Sequence, residues 1–254
     1  MNFSFASLSL FFLQLVAHVA LVYGIFYFTV TEWCSVLFVY FLTGCIGVSI
    51  TLHRYMSHAA FRMPRYMEII GVMCSTYGII GSSLAWVNNH RAHHRYADRE
   101  GDPHSPVVHG FLKVQWFSMF ISATKFKYMR KFIADSYHVF MHRYYFVIHG
   151  VIILLFLTIA DWHTMAVWYL APAAVLWNAG SCINTLGHSP LGYLNHNVRD
   201  HSRNNLFLGY FVWGEGWHNN HHYLPARETF QDRWWELDIS AMMIKLISLL
   251  PGKK

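Results

Sequence analysis

FASLSLFFLQLVAHVALVYGIFYFTV at residues 5–30 and WCSVLFVYFLTGCIGVSITL at residues 33–52 decide the fold. Only Thr31 and Glu32 separate the two runs, and neither run contains Lys, Arg, Asp or Glu. A bilayer core about 30 Å thick takes about 20 apolar helical residues to cross. The pair therefore reads as a hairpin of two spanning helices. A second pair, Tyr144–Ala160 and Met165–Ile183, flanks the short turn Asp161–Thr164. All 19 Lys and Arg lie in residues 54–143 and 199–254, with none in 1–53 or 144–198. Basic loops stay on the cytoplasmic side, which puts both large polar segments (53–143 and 184–254) and both termini there. The expected fold is an all-α integral membrane domain over residues 1–254. Four transmembrane helices form two hairpins (about 5–30, 33–52, 144–160 and 165–183) beneath a cytoplasmic helical cap.

Composition agrees. The chain is 55% hydrophobic and 13% charged, against the roughly 25% charged residues of a soluble domain. The first run lacks a basic n-region and is too long for the h-region of a signal peptide, so it reads as a span. Cys34, Cys45, Cys74 and Cys182 lie scattered in apolar segments without a CxxC, as small buried hydrophobes do. The net charge of +6 sits beside the expected spans, at Lys125, Lys127, Arg130 and Lys131 among others. That placement suits anionic lipid heads or an acidic protein partner; no nucleic-acid role is expected.

Nine histidines fall into groups with metal-ligand spacing: His53 and His58 in HRYMSH, His90, His93 and His94 in HRAHH, His188 in NTLGH, and His218, His221 and His222 in HNNHH. Imidazole is the commonest protein ligand of iron, zinc and copper. Positions i, i+3 and i+4 of a helix share one face, so each HxxHH aims three rings at one place. Nine rings exceed what one ion can use, and two metals are expected. His53 and His58 are five apart, about 140° around an ideal helix, and need not serve one ion. Asn184, one turn before His188, suits holding a metal-bound water. Asp98, Glu100, Asp102 and Glu215 could orient ring N–H groups, although singly each is the kind of residue found solvated in loops.

The histidines also constrain topology. Tyr66–Val87 is apolar enough for a fifth span, yet crossing would put HRYMSH and HRAHH on opposite faces of the bilayer. The segment is expected to lie in the interface, or to dip in and return. Of the other histidines, His138 and His142 are i, i+4 but lack a third partner. His18 and His149 should pack within the spans, His104 and His109 should lie beside the metal site, and His163, His196 and His201 should lie in loops.

These boxes resemble those of the membrane fatty-acid desaturases. HRYMSH, HRAHH and HNNHH follow that family's order, and NTLGH at 184–188 is similar to the NxxxH box of its Δ9, stearoyl-CoA desaturase-like, branch. GDPHSP at 101–106, DHSRNN at 200–205, GEGWHNNHHYLPAR at 214–227 and RWWELDIS at 233–240 extend the likeness over about 35–250. The resemblance implies a di-iron centre held by the nine histidines, with Asn184 acting through a water, and O2 as co-substrate. It implies dehydrogenation of a saturated acyl chain to a cis alkene, chemistry that organic side chains cannot supply. Zinc has no redox chemistry, so iron is expected. A closed tunnel is also implied. Trp86 could line it, and Phe41, about 18 Å deeper than His53 along one helix, or its neighbour Tyr40, could end it.

Two departures bear on substrate. Acyl-CoA members commonly carry an Arg-Asp pair where Asn88 and Asn89 stand, which leaves acyl-CoA, acyl-lipid and acyl-carrier-protein substrates all open. A tryptophan common three residues before the NxxxH asparagine is Ser181 here. No HPGG haem motif, ferredoxin-like cysteine run or dinucleotide fingerprint is present, so electrons are expected from a separate ferredoxin or cytochrome b5 type donor. A di-iron lipid hydroxylase is the alternative, since the ligands barely separate the two; NTLGH and GEGWHNNHH favour desaturation. A membrane metal transporter or store would place polar ligands inside the spans, whereas here they gather at one face.

Overall fold

A computed structural model describes residues 3–121 and 129–250; Lys125 and Lys127 lie outside the described residues. Among those residues the chain is helical. It has two isolated β-bridges, Tyr193 with Asn204 and Asn204 with Trp217, and no strand. Three helices are long and apolar enough to cross a membrane: α1 (Phe5–Tyr27), α2 (Val30–Ser57) and a later one, Trp162–Leu186.

The surface of α1 is inverted relative to a soluble helix. Its buried positions are Ser7, Gln14, Ala17, Ala20 and Gly24, while Phe12, Val19, Ile25 and Phe26 face outward. Small residues let helices approach closely, and large apolar side chains meet lipid at no cost. Two polar side chains of α1 find partners inside this layer: Gln14 Nε2 donates to Ile79 O at 2.5 Å, and His18 bonds Asn178 at 2.9 Å.

The break between the first two helices falls at Phe28–Thr29, before the expected Thr31–Glu32. The Thr29 hydroxyl accepts the Glu32 N–H, and the Glu32 carboxylate accepts from the Thr29 backbone. That reciprocal cap fixes the start of α2. Glu32 also bonds His163 at 2.6 Å, and His163 meets Tyr23 at 3.1 Å. The two inter-helix turns are thereby tied together.

α2 begins as an α-helix and continues from Phe41 to Ser57 with π-type bonds. Short α3 (Arg65–Tyr77) runs antiparallel beside it, and α4 (Ser83–Tyr96) returns. The register is set by three glycine contacts that pair Gly71 with Thr51, Gly47 with Ser75 and Gly78 with Thr43. The chain reverses at Gly78–Ser82, opposite the middle of α2. The 66–87 segment therefore dips along α2 and comes back, so that His90 ends beside His53 and His58.

After the short helices α5 (Pro106–His109), α6 (Phe111–Trp116) and α7 (Arg130–Ile133), α8 (Ser136–Arg143) leads into α9 (Tyr145–Ile159). The expected span 144–160 is thus a 15-residue helix, about 22 Å long. It bends 63° from α8 and is too short to cross a 30 Å core alone. α10 (Trp162–Leu186) follows. The cap is completed by α11 (Leu206–Phe211), α12 (His218–Tyr223) and α13 (Ile239–Ser248). A hydrophobic cluster of Tyr40, Cys45, Ile46, Ile50, Leu176, Trp213 and Ile244 joins cap to spans.

A Cβ on Gly47 would lie 2.6 Å from Ser75 N, a backbone atom that cannot step aside. Gly47→Ala should lower stability by about 1–3 kcal/mol, read as a reduced thermal midpoint in detergent.

Candidate metal centre

The nine predicted histidines converge. The nitrogens of His53, His58, His90, His94 and His221 lie within 4.8 Å of one another, and so do those of His93, His188, His218 and His222. This spread is slightly more than twice the roughly 2.1 Å metal–imidazole bond. The groups adjoin: the rings of His93 and His94 are 5.5 Å apart, and those of His221 and His222 are 5.6 Å apart.

His53 and His58 belong to one group, their rings 5.0 Å apart, where ideal α-helical geometry separates them. The reason is the π-type winding of α2. A ladder closing i to i+5 widens the turn and brings residues five apart together. Ser57 Oγ bonds Leu52 O, and His58 N bonds His53 O, both five residues back.

Carboxylates aim the rings. Glu215 bonds His53 Nδ1, Asp102 bonds His93 Nδ1 at 2.9 Å, Asp98 bonds His188 Nδ1 at 2.9 Å, and Asp200 bonds His222 Nδ1 at 3.0 Å. Glu215, Asp98 and Asp102 are therefore buried orienting groups, while Glu100 is exposed. Asp200 was missed by sequence reasoning, although its place in DHSRNN was the available signal. An Nδ1–H given to a carboxylate leaves Nε2 as a bare lone pair. His93 Nε2 and His222 Nε2 face each other at 3.3 Å with both Nδ1 atoms so engaged. Two lone pairs in that position repel unless a cation lies between them. His218 Nδ1 and His221 Nδ1 are buried and unpartnered. The donor set fits a pair of metal ions that accept imidazole nitrogen.

Electrostatics points the same way. Burial holds His58, His90, His94, His218 and His221 well below the usual histidine range, and brings His222 down to about 4. The rings are thus neutral at pH 7, as ligands must be. Burial pushes the Asp102 carboxyl up, but the hydrogen bond from His93, the attraction to that ring and the backbone N–H groups of His104 and Asp98 together hold the group down at about 2. Burial likewise works against ionisation of Asp98 and Asp200. It is overcome by the hydrogen bonds from and attraction to His188 and His222 together with further donors, Ser105 and the His201 N–H at Asp98 and Ser202 at Asp200.

The remaining histidines separate cleanly. His138 bonds Glu68 at 2.9 Å and His142 bonds Ser82 at 2.6 Å, so neither joins a ligand group. His149 bonds Tyr169 at 2.5 Å inside the helical layer, and His196 stacks on Tyr223. His109 bonds Asp102 O at 2.7 Å. His104 lies beside His93, with ring centroids 6.0 Å apart.

A cavity of about 680 Å³ reaches both histidine groups, touching His53, His90 and His218. Trp86, stacked on His90 with centroids 5.1 Å apart, forms part of its wall, as do Asn89, Ser181 and Asn184. Asn184 makes no side-chain hydrogen bond among the described residues. Tyr40 and Phe41 do not line this cavity. They pack against Trp213, at 4.4 and 6.1 Å between centroids, and Trp213 itself forms the wall. The tertiary fold brings Trp213 in from the cap, and Gly44 makes room for it; a Cβ there would lie 2.3 Å from the indole.

A fatty acid desaturase family model matches residues 31–239. The chain belongs to the fatty acid desaturase family. It is 31% identical to an sn-1 stearoyl-lipid 9-desaturase of Synechocystis sp., over 83% of this chain and 67% of that one. It is 29% identical to an sn-1 stearoyl-lipid 9-desaturase of Anabaena variabilis, over 86% and 82%. It is 30% identical to an acyl-CoA C20 Delta5-desaturase of Anemone leveillei, over 83% and 69%. This desaturase is therefore an oxidoreductase acting on fatty acyl chains, and its apolar helices make it a membrane protein.

Produced with iron, the protein should carry two ions per chain. His221→Ala and His188→Ala should each reduce this towards one, measured as metal per protein by mass spectrometry and Mössbauer spectroscopy. Metal-free protein should lose stability as pH falls below about 6.5, the ordinary histidine value, towards the value of about 4 for His222. In that window the unfolded chain binds protons that the folded chain refuses. The check is thermal midpoint against pH; a midpoint flat from pH 7 to 5 would contradict the buried-neutral assignment.

Proposed function

We propose that the chain is a Δ9 desaturase of saturated acyl lipids, with a di-iron centre held by His53, His58, His90, His94 and His221 at one ion and His93, His188, His218 and His222 at the other. The observation that carries this reading is the opening of both histidine groups onto one cavity walled largely by apolar side chains. The stearoyl-lipid 9-desaturases among its relatives support the regiochemistry and the lipid head group. Residues 1–254 act as one membrane domain. Four spans form two hairpins, with the bent α8–α9 pair as the broken third span, and the metal cap and both termini face the cytoplasm. The positive-inside rule supports that orientation.

Bound at these sites, iron supplies the redox chemistry with O2 that breaking an unactivated C–H bond requires. The protein's own part is positional. Trp86 lies flat against His90 and forms the cavity wall beside the five-histidine group, so it holds the chain against that group. Asn184 turns an unpartnered amide to the cavity near His218 and holds a water there. Glu215, Asp98, Asp102 and Asp200 keep each ring's Nε2 turned inward. Electrons come from a separate donor of ferredoxin or cytochrome b5 type.

Expression in a host rich in saturated lipids should yield cis monounsaturated chains with the bond at carbon 9, located by mass spectrometry of derivatised fatty acids. A hydroxylated product instead would favour the hydroxylase reading. Arg62→Cys and Glu100→Cys should both label only from the cytoplasmic face; labelling from opposite faces would break the topology. Trp213→Ala should shift products towards longer chains while the bond stays at carbon 9, because the wall recedes and the metals do not move. A chain-length profile unchanged in gas chromatography would remove Trp213 from the end of the tunnel.

A further inference from the structure

The two histidine groups differ in what stands behind their orienting carboxylates. At the five-histidine group Glu215 is buried, and its other partners, Ser49 and the fully buried Arg54, are buried too. No exposed residue touches that carboxylate among the described residues. At the four-histidine group Asp98 Oδ2 accepts from His188 Nδ1 at 2.9 Å on its inner side. On its outer side the same oxygen accepts from the backbone N–H of His201 at 2.8 Å and meets the His201 ring at 3.2 Å. The His201 side chain is 65% exposed. Two hydrogen bonds therefore lead from solvent to a ring of the four-histidine group. Asp200, one residue away, bonds His222 of the same group.

The surface around this outlet is predominantly basic. Arg95 and Arg99 flank Asp98 in sequence, and Arg199 and Arg203 flank Asp200 and His201. The first three are exposed and the fourth is half-buried, and none is in an ion pair among the described residues. Glu100, next to Arg99, is the one exposed carboxylate in these two stretches, 95–100 and 199–203. Arginines held in no ion pair, over a bonded path to the site, form a surface made for an acidic partner.

We propose that this patch is where an acidic one-electron carrier protein docks, and that electrons enter through His201 and Asp98 at the four-histidine group. The proposal rests on the desaturase reading above. In that reaction two hydrogens leave the acyl chain, two electrons and two protons come from outside, and O2 leaves as two waters. The carrier must therefore dock, give up one electron and be replaced once per turnover, which favours a surface that associates fast and releases readily.

The test uses the iron-loaded protein in detergent and a photoreduced acidic [2Fe–2S] ferredoxin under anaerobic conditions. Stopped-flow spectroscopy follows reduction, and a binding assay follows affinity. The double variant Arg95→Glu/Arg199→Glu should slow second-order reduction about tenfold or more at low salt, and the difference should shrink as salt rises. Arg62→Glu, an exposed cation elsewhere, should match wild type. His201→Phe should leave ferredoxin affinity unchanged but slow the first-order transfer at saturating ferredoxin. Dithionite, too small to need docking, should reduce wild type and variants alike, with metal content unchanged. Equal ferredoxin rates in wild type and the double variant, or an equal loss in Arg62→Glu, would overturn the docking site. An unaltered transfer rate in His201→Phe would overturn the entry path. A wild-type centre that dithionite cannot reduce would overturn the di-iron reading itself, and the docking proposal with it.

Discussion

Imidazoles crowded into a space free of bulk water repel each other unless each is told which nitrogen keeps its proton. Four carboxylates do this, by holding Nδ1–H on His53, His93, His188 and His222. Each such bond fixes a tautomer and a ring direction together, so the lone pairs point inward. The arrangement is unfavourable without metal. Burial makes it costlier still to relieve the strain by protonation, as the lowered values for the unpaired rings indicate. A metal ion taken up by these rings would therefore be linked to folding through the same residues.

The rest of the architecture delivers those rings to one place. Four separate elements contribute: the end of α2, the length of α4, the end of α10 and the start of α12. Two local devices make their meeting possible. The π-type winding of α2 turns His53 and His58 to the same side, and the glycine contacts between α2 and α3 let the chain reverse at mid-depth and return with HRAHH. Arg54, fully buried between Glu215 and Asp238 and lying 3.9 Å over the Phe230 ring, locks the C-terminal segment onto the same helix. A buried ion pair of this kind adds little net stability, and its value here is placement.

Much of this was legible in the sequence because it rests on short-range rules. Apolar runs of spanning length, the absence of basic residues within them, and HxxHH spacing are each read within one or two dozen residues. They sufficed to list all nine histidines and to require that 66–87 turn back. The carboxylates were harder. Asp98, Asp102, Asp200 and Glu215 look like any loop acids until the fold brings each beside a ring. Tyr40 and Phe41 were placed at the tunnel end from depth along one helix, a measure that says nothing about which way a side chain faces or what arrives from elsewhere.

What the sequence by itself determined is the class of the protein and the identity of the nine rings that converge. Hydropathy and ligand spacing are properties of contiguous residues, and both survive without knowledge of contacts. Only the tertiary structure decided how the rings divide into five and four. It alone showed that the π-type turn joins His53 to His58, that Trp213 rather than Phe41 walls the cavity, and that the orienting carboxylate Asp98 of one group bonds an exposed ring while Glu215 of the other bonds only buried side chains. These depend on which residues meet across more than a hundred positions of chain, and packing rather than local pattern chooses those meetings.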